Sequence, residues 1–185
     1  MQDKTTSEIL EWVQTLDKTV VATSSFQTQS LPFLHMLSRS LPQVPILFLD
    51  TGFHFPETLA YKDQLVSQLG LNIQVIEAPK VALYQEDTDA CCGLNKVQPL
   101  QQALASAQVW LTGIRRDQTS QRQAAQWMSV EPSGLIKICP MLDWTELQIQ
   151  RYIDRHNLPQ HPLTRRGYLS IGCAPCTRAV AAGED

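Results

Sequence analysis

Four short apolar runs, each closed by polar or glycine residues, restrict this chain to one broad architecture. Thr19-Val-Val-Ala-Thr23 ends at Ser24 and Ser25, and Pro45-Ile-Leu-Phe-Leu-Asp50 ends at Thr51-Gly52. Asn72-Ile-Gln-Val-Ile-Glu77 and Val109-Trp-Leu-Thr112 are the other two. Continuous apolar runs of this length read as strands buried on both faces. Helix-patterned sequence separates them: Leu31, Leu34, Leu37 and Leu41 at helical spacing over about Ser30 to Ser40, a helix opened by Pro56-Glu57-Thr58, and another over about Gln98 to Ala107. A further helix is expected at residues 6 to 17. Strand and helix in alternation imply parallel βαβ units, hence an open, mostly parallel α/β sheet with helices on both faces.

The remainder is less regular. Leu135 to Cys139 reads as a strand-like segment, Trp144 to His156 as a helix capped by Asp143, and Leu158 to Ala182 as a loop-rich C-terminal segment. With no repeat or linker, residues 1–185 read as a single domain, long enough to bury a core without disulfides. The N-terminus carries acids and no apolar run spans a bilayer, which leads to the expectation of a cytoplasmic protein with no membrane partner. A net charge of −3 with mixed signs argues against general nucleic-acid binding. Positive charge is instead local, in Arg115, Arg116 and Arg122 and again in Arg165, Arg166 and Arg178, a pattern suited to a small anion.

Ligands of open α/β sheets bind beyond the carboxyl ends of the strands. Ser24, Ser25, Asp50, Thr51, Gly52, Gly113 and Arg115 all fall there. The turn Ser24-Ser-Phe-Gln-Thr-Gln-Ser30 offers backbone N–H groups and hydroxyls to an anion, although simple helix capping explains such a turn equally. Asp50-Thr51-Gly52 suits nucleoside recognition or a polar turn. The arginines of Gly113-Ile-Arg-Arg-Asp-Gln-Thr-Ser-Gln-Arg122 suit phosphate or sulfate oxygens, against the alternative of a solvated loop.

Five cysteines in 185 residues make a poor disulfide framework. Cys91-Cys92 and Cys173-Ala-Pro-Cys176 are better explained as thiolates converging on one metal centre. An adjacent pair fits tetrahedral zinc poorly and a larger iron-sulfur group better, while redox-active or free thiols stay open. Cys139, between Ile138 and Pro140, reads as a buried core thiol. Lys96, four residues after Cys92, would sit beside any group held there.

Taken together, TSSFQTQS, LDTGFHFPET, CCGLNKVQPL, TGIRRDQTSQR and HPLTRRGYLSIGCAPCTR resemble the assimilatory adenosine 5′-phosphosulfate reductases, within the wider phosphoadenosine phosphosulfate reductase family. The resemblance runs from about Val20 to Arg178. It implies an adenine nucleotide α-hydrolase-like fold and a 4Fe-4S cluster on Cys91, Cys92, Cys173 and Cys176. Members acting on the 3′-phosphorylated substrate generally lack these cysteines, so the resemblance implies adenosine 5′-phosphosulfate as substrate. It also implies Lys96 between cluster and phosphosulfate in a supporting catalytic role. Ser24 and Ser25 would lie near the phosphate, Leu49 and Thr51 near the adenosine, and Arg115, Arg116 and Arg122 along the pocket edge.

The reaction implied is thiolate attack on the sulfur of the phosphosulfate, expelling AMP, with thioredoxin releasing sulfite from the sulfonated cysteine. In the family that thiol belongs to a C-terminal Glu-Cys-Gly-Leu-His motif, whereas this sequence stops at Gly183-Glu184-Asp185. The expectation is therefore a chain with no catalytic nucleophile of its own, inactive alone. Gln27 stands where many relatives carry glycine. Alternatives are action on the 3′-phosphorylated substrate, a cluster-bearing nucleotide-binding protein without catalysis, or an ATP pyrophosphatase that modifies tRNA with sulfur. For the last, TSSFQTQS lacks the glycines and aspartate of the usual pyrophosphate turn. Homo-oligomerisation is left open.

Overall fold

The structure is a computed structural model that describes residues 5–180. Gly183-Glu184-Asp185, on which the expectation of a missing catalytic tail rests, lie outside the described residues. In chain order the regular elements are α1 (Thr6–Gln14), β1 (Val20–Thr23), α2 (Leu31–Ser40), β2 (Ile46–Asp50), α3 (Pro56–Leu69), β3 (Ile73–Glu77), α4 (Thr88–Cys92), α5 (Gln98–Leu104), β4 (Val109–Thr112), β5 (Met128–Val130), β6 (Ile136–Ile138) and α6 (Glu146–Arg155). Short 3-10 turns punctuate the loops, and a π-turn over Gly93–Val97 joins α4 to α5.

The strands form one six-stranded sheet in the order β3-β2-β1-β4-β6-β5. Every pairing is parallel except β5 with β6. Chain order reverses direction between β1 and β4, which opens a crevice at their carboxyl ends.

Strand side chains alternate between two unequal cores. Ala22, Ile46, Phe48, Val109 and Leu111 enter the larger one, where α1, α2, α3 and α6 contribute Leu10, Leu34, Leu65 and Ile153 among others. Val21 and Leu47 face a smaller core closed by Leu104 of α5, with Leu100, Ala103 and Trp110 packed around it. Helices therefore cover both faces, very unevenly.

Several boundaries differ from the sequence reading. The first helix ends at Gln14 rather than residue 17, its last turn closed where Thr15 Oγ1 donates to the carbonyl of Trp12. The helix expected over Gln98 to Ala107 begins upstream at Thr88 and its α-helical part ends at Leu104. Asp143 does not cap α6. Thr145 does, its hydroxyl accepting from Gln148 N–H while the Gln148 side-chain oxygen accepts from Thr145 N–H at 2.7 Å. Asp143 instead pairs with Arg116 at 2.5 Å. β5 is an addition, returned antiparallel to β6 through Pro132-Ser-Gly134, with Gly134 at φ +84° supplying the left-handed position of the turn.

Candidate functional site

A cleft of about 370 Å³ lies at the carboxyl ends of β1, β2 and β4. Thr23, Ser24 and Ser25 form the wall leaving β1. The bend there is fixed by Phe26, which takes φ +56° so that its ring is fully buried against Phe48, centroids 5.5 Å apart. A left-handed backbone at a bulky residue is strained, and such strain collects at ligand-binding turns. Ser24 Oγ accepts from Phe26 N–H at 3.1 Å, which leaves the Ser25 side of the turn exposed. Gln27 has φ −76°, a conformation that needs no glycine, and its side-chain oxygen accepts from Ile171 N–H at 3.4 Å. The side chain at this position thus ties the C-terminal segment to the turn.

From β2, Leu49 and Thr51 line the cleft. Asp50 and Gly52 stand outside the lining: the Asp50 carboxylate accepts from Gly52 N–H at 2.8 Å and so holds the turn. His54, which the sequence reading passed over, also lines the cleft, with Nε2 donating to the carbonyl of Leu49 at 2.9 Å. A histidine four residues after a strand end was its only signal. From β4 come Thr112 and Gly113, the latter packed so closely that a Cβ would sit 3.2 Å from the Phe33 ring.

The three arginines separate. Arg122 lines the cleft and donates to the side-chain oxygen of Gln118. Arg116 turns away to Asp143 and to the carbonyls of Gln123 and Ala125. Arg115 is buried behind the wall, paired with Glu146 at 3.0 Å.

Below the cleft the four paired cysteines come together. Cys91, Cys92, Cys173 and Cys176 border one small cavity of about 10 Å³, with Phe53, Tyr84 and Lys96. Two of them come from the helical segment α4, one, Cys176, from a 3-10 turn over Ala174–Cys176, and one, Cys173, from the residue that caps that turn. That turn is pinned to the end of β2 by Ala174 N–H donating to the carbonyl of Phe53 at 2.7 Å. Upstream, buried His161 receives Leu163 N–H on Nδ1 at 3.2 Å and so donates from Nε2 to Thr58 Oγ1 at 3.0 Å. Its backbone N–H reaches Thr28 Oγ1 at 3.0 Å. These contacts strap the loop-rich segment across the sheet end.

In the helix, Cys91 stands four residues before Asn95 and Cys92 four before Lys96, the spacing at which helical side chains meet. Asn95 is 1% exposed and its Nδ2 donates to the carbonyls of Val81 and Cys91 and, at 3.4 Å, to Cys91 Sγ. Its oxygen accepts from Val81 N–H at 2.9 Å. The π-turn that holds both residues is the wider turn often found at functional positions. Across the cavity, Thr51 Oγ1 lies 3.4 Å from Cys173 Sγ. Lys96 and Cys173 line both the cleft and the thiol cavity, so the two are contiguous. Burial works to lower the Lys96 pKa, but the negative charge of Cys173 and Cys92 and a hydrogen bond to Cys173 outweigh it, so the ammonium is held charged. Among the described residues, no three His, Cys, Asp or Glu side chains are arranged to hold a single metal ion. None of the helices there is long and apolar enough to cross a membrane.

A mostly parallel sheet with a crevice at its switch point, walled by hydroxyls and an arginine and adjoining a thiol cavity, defines an open α/β protein with its binding crevice beyond the strand ends. Comparison places it further. Residues 19–179 match the phosphoadenosine phosphosulfate reductase domain. An adenosine 5′-phosphosulfate reductase of Streptomyces coelicolor is 36% identical over 197 residues, covering 100% of this chain and 83% of that protein. A phosphoadenosine 5′-phosphosulfate reductase of Alkalilimnicola ehrlichii is 38% identical over 178 residues, covering 89% of this chain and 72% of that one. The crystal structure of phosphoadenylyl-sulfate reductase from Candida auris superposes with a TM-score of 0.83 at 29% identity, covering 95% of this chain and 91% of that one. The chain belongs to the phosphoadenosine phosphosulfate reductase family, oxidoreductases acting on sulfonucleotides.

Proposed function

We propose that the protein serves the thioredoxin-dependent reduction of adenosine 5′-phosphosulfate to sulfite and AMP, with a 4Fe-4S cluster on Cys91, Cys92, Cys173 and Cys176. One observation carries the reading: four thiols from two distant segments meet beside a nucleotide-sized cleft, and Lys96 borders both. The donor set fits the group. Thiolates are the usual ligands of such clusters, and hydrogen bonds to their sulfurs tune them, here from Asn95 to Cys91 and between Thr51 and Cys173. When bound, such a cluster would supply fixed charge and polarisation beside the reacting phosphosulfate.

The protein's own cleft residues bind and orient the nucleotide. Leu49, Thr51 and Gly113 form the wall against a nucleoside, while Ser24, Ser25 and Arg122 offer hydroxyls and N–H donors to its phosphate. Lys96 carries its charge to the junction of cleft and thiols, where negative charge moves onto the departing phosphate. The attacking thiol is not supplied by Cys139, which is 2% exposed and outside the cleft lining. Relatives carry both substrate names, and the four-thiol arrangement favours the nucleotide without a 3′-phosphate.

Anaerobic purification with iron and sulfide analysis, followed by calorimetric titration with both sulfonucleotides, tests this. Iron and sulfide in equal amounts and tighter binding of the unphosphorylated nucleotide are expected. Zinc in an iron-free protein, or tighter binding of the 3′-phosphorylated form, overturns the assignment.

A further inference from the structure

Arg115 is 2% exposed and lies behind the cleft wall rather than in it. A guanidinium does not deprotonate in a protein, so a full charge is buried there. Glu146 Oε2 meets Nη2 at 3.0 Å and Asp117 Oδ1 approaches Nε at 3.4 Å, yet among the described residues Nε and Nη1 make no hydrogen bond. Keeping a buried cation with incomplete hydrogen bonding is unfavourable for stability alone.

Its neighbours show what the charge does. Gln29 Oε1 accepts from Arg115 Nη2 and from Gln118 Nε2, each at 3.2 Å. Arginine has only donors, so the Gln29 amide must turn its oxygen inward. That choice propagates: Gln118 must show its nitrogen to Gln29, and its oxygen then faces the Arg115 backbone N–H at 3.1 Å and the Arg122 guanidinium. With that oxygen taken up by Arg115 and Gln118, the polar group Gln29 has left for the cleft it lines is its amide nitrogen. Arg122 is held by a neutral amide oxygen, and among the described residues no carboxylate forms an ion pair with it. Gln29, Gln118 and Arg122 line the cleft from the segments that follow β1 and β4, the two sides of the switch point.

We propose that Arg115 is a positioning residue for anion recognition: through Gln29 and Gln118 it fixes the polarity of the cleft wall, so that N–H donors and Arg122 face the phosphate oxygens of a nucleotide. Without the buried guanidinium, both amides are free to turn oxygen toward the ligand. The inference rests on the nucleotide reading above.

Calorimetric titration of the full chain with AMP and with adenosine tests it. Wild-type protein that binds no AMP overturns the nucleotide reading and this inference with it. If AMP binds, Arg115→Met is expected to weaken AMP about tenfold, the scale of one charge-assisted hydrogen bond, with adenosine unchanged. Arg122→Met should weaken AMP similarly, and the double variant should lose less than the product of the two, because both act through Gln118. Equal losses for AMP and adenosine, or a fully multiplicative double variant, overturn the inference while leaving the nucleotide reading intact. If Arg115→Met does not fold, Arg115→Lys keeps the charge but loses the fork. It should show the same AMP-selective loss, and unchanged AMP affinity in Arg115→Lys refutes the inference.

Discussion

Cys139 provides a quantitative check on the claim that the core thiol takes no part in catalysis. It directly follows β6, its backbone N–H donates to the carbonyl of Trp127 at 2.7 Å, and its side chain is buried. Burial raises its pKa from 9.0 to about 11, with Lys137 and Arg122 pulling the other way. Only the thiolate is nucleophilic. Near neutral pH the raised value alone removes about 99% of the reactive form, roughly a hundredfold loss of rate, before any steric shielding. Iodoacetamide labelling at pH 8, followed by peptide mass spectrometry in folded and urea-unfolded protein, measures this directly. The folded rate should be at least about a hundredfold lower and should keep rising with pH beyond 9. The sign for stability follows. A thiol whose folded pKa is raised favours folding fully below the unfolded value, and that contribution, about 2–3 kcal/mol, is lost as pH rises from about 9 through about 11. Folded-state labelling within tenfold of the unfolded rate would refute the reasoning and return Cys139 to the list of candidate nucleophiles.

Two further outcomes bear on the frame of the site. Gly52 takes φ +74° and a Cβ there would lie 2.7 Å from Lys80 Cγ, so Gly52→Ala should cost about 1–2 kcal/mol in urea unfolding. Adding Lys80→Ala should recover only the part due to contact, and full recovery would show that backbone conformation is not the constraint. His161 is held neutral, with burial lowering its pKa and Glu57 partly opposing. Its stabilisation is therefore complete above about pH 6.5 and lost as pH falls through the depressed folded value. His161→Gln should flatten the melting-temperature decline between about pH 6.5 and 5, and an unaltered decline would count against a neutral imidazole.

The strands of the sheet centre were legible because burial on both faces demands uninterrupted apolar sequence, as in Ile46 to Leu49 and Val109 to Leu111. α4 and its π-turn were not. Thr88 to Val97 has no apolar stripe and contains Gly93, so its helicity comes from tertiary anchors such as Asn95 on the Val81 backbone. β5 escaped notice because three half-polar residues resemble any loop, although the Pro-Ser-Gly turn after it was a usable signal. Strand-end logic brought Ser24, Ser25, Thr51 and Gly113 to the cleft, and the family resemblance added Leu49. The same logic led to Arg115, and the local arginine cluster to Arg116; their positions are decided by Glu146 and Asp143, carboxylates that lie about 30 residues onward and that no local pattern connects to them.

The continuous helical stretch from Thr88 to Leu104 has two duties at once. Its first turns present two sulfurs and a lysine, and its last turn is the cover over Val21 and Leu47. Damage to the sulfur environment is thus transmitted along a single rod to the thin side of the sheet, and oxidation of the thiols should announce itself as protease sensitivity around Leu100 and Leu104 before the thicker half loosens.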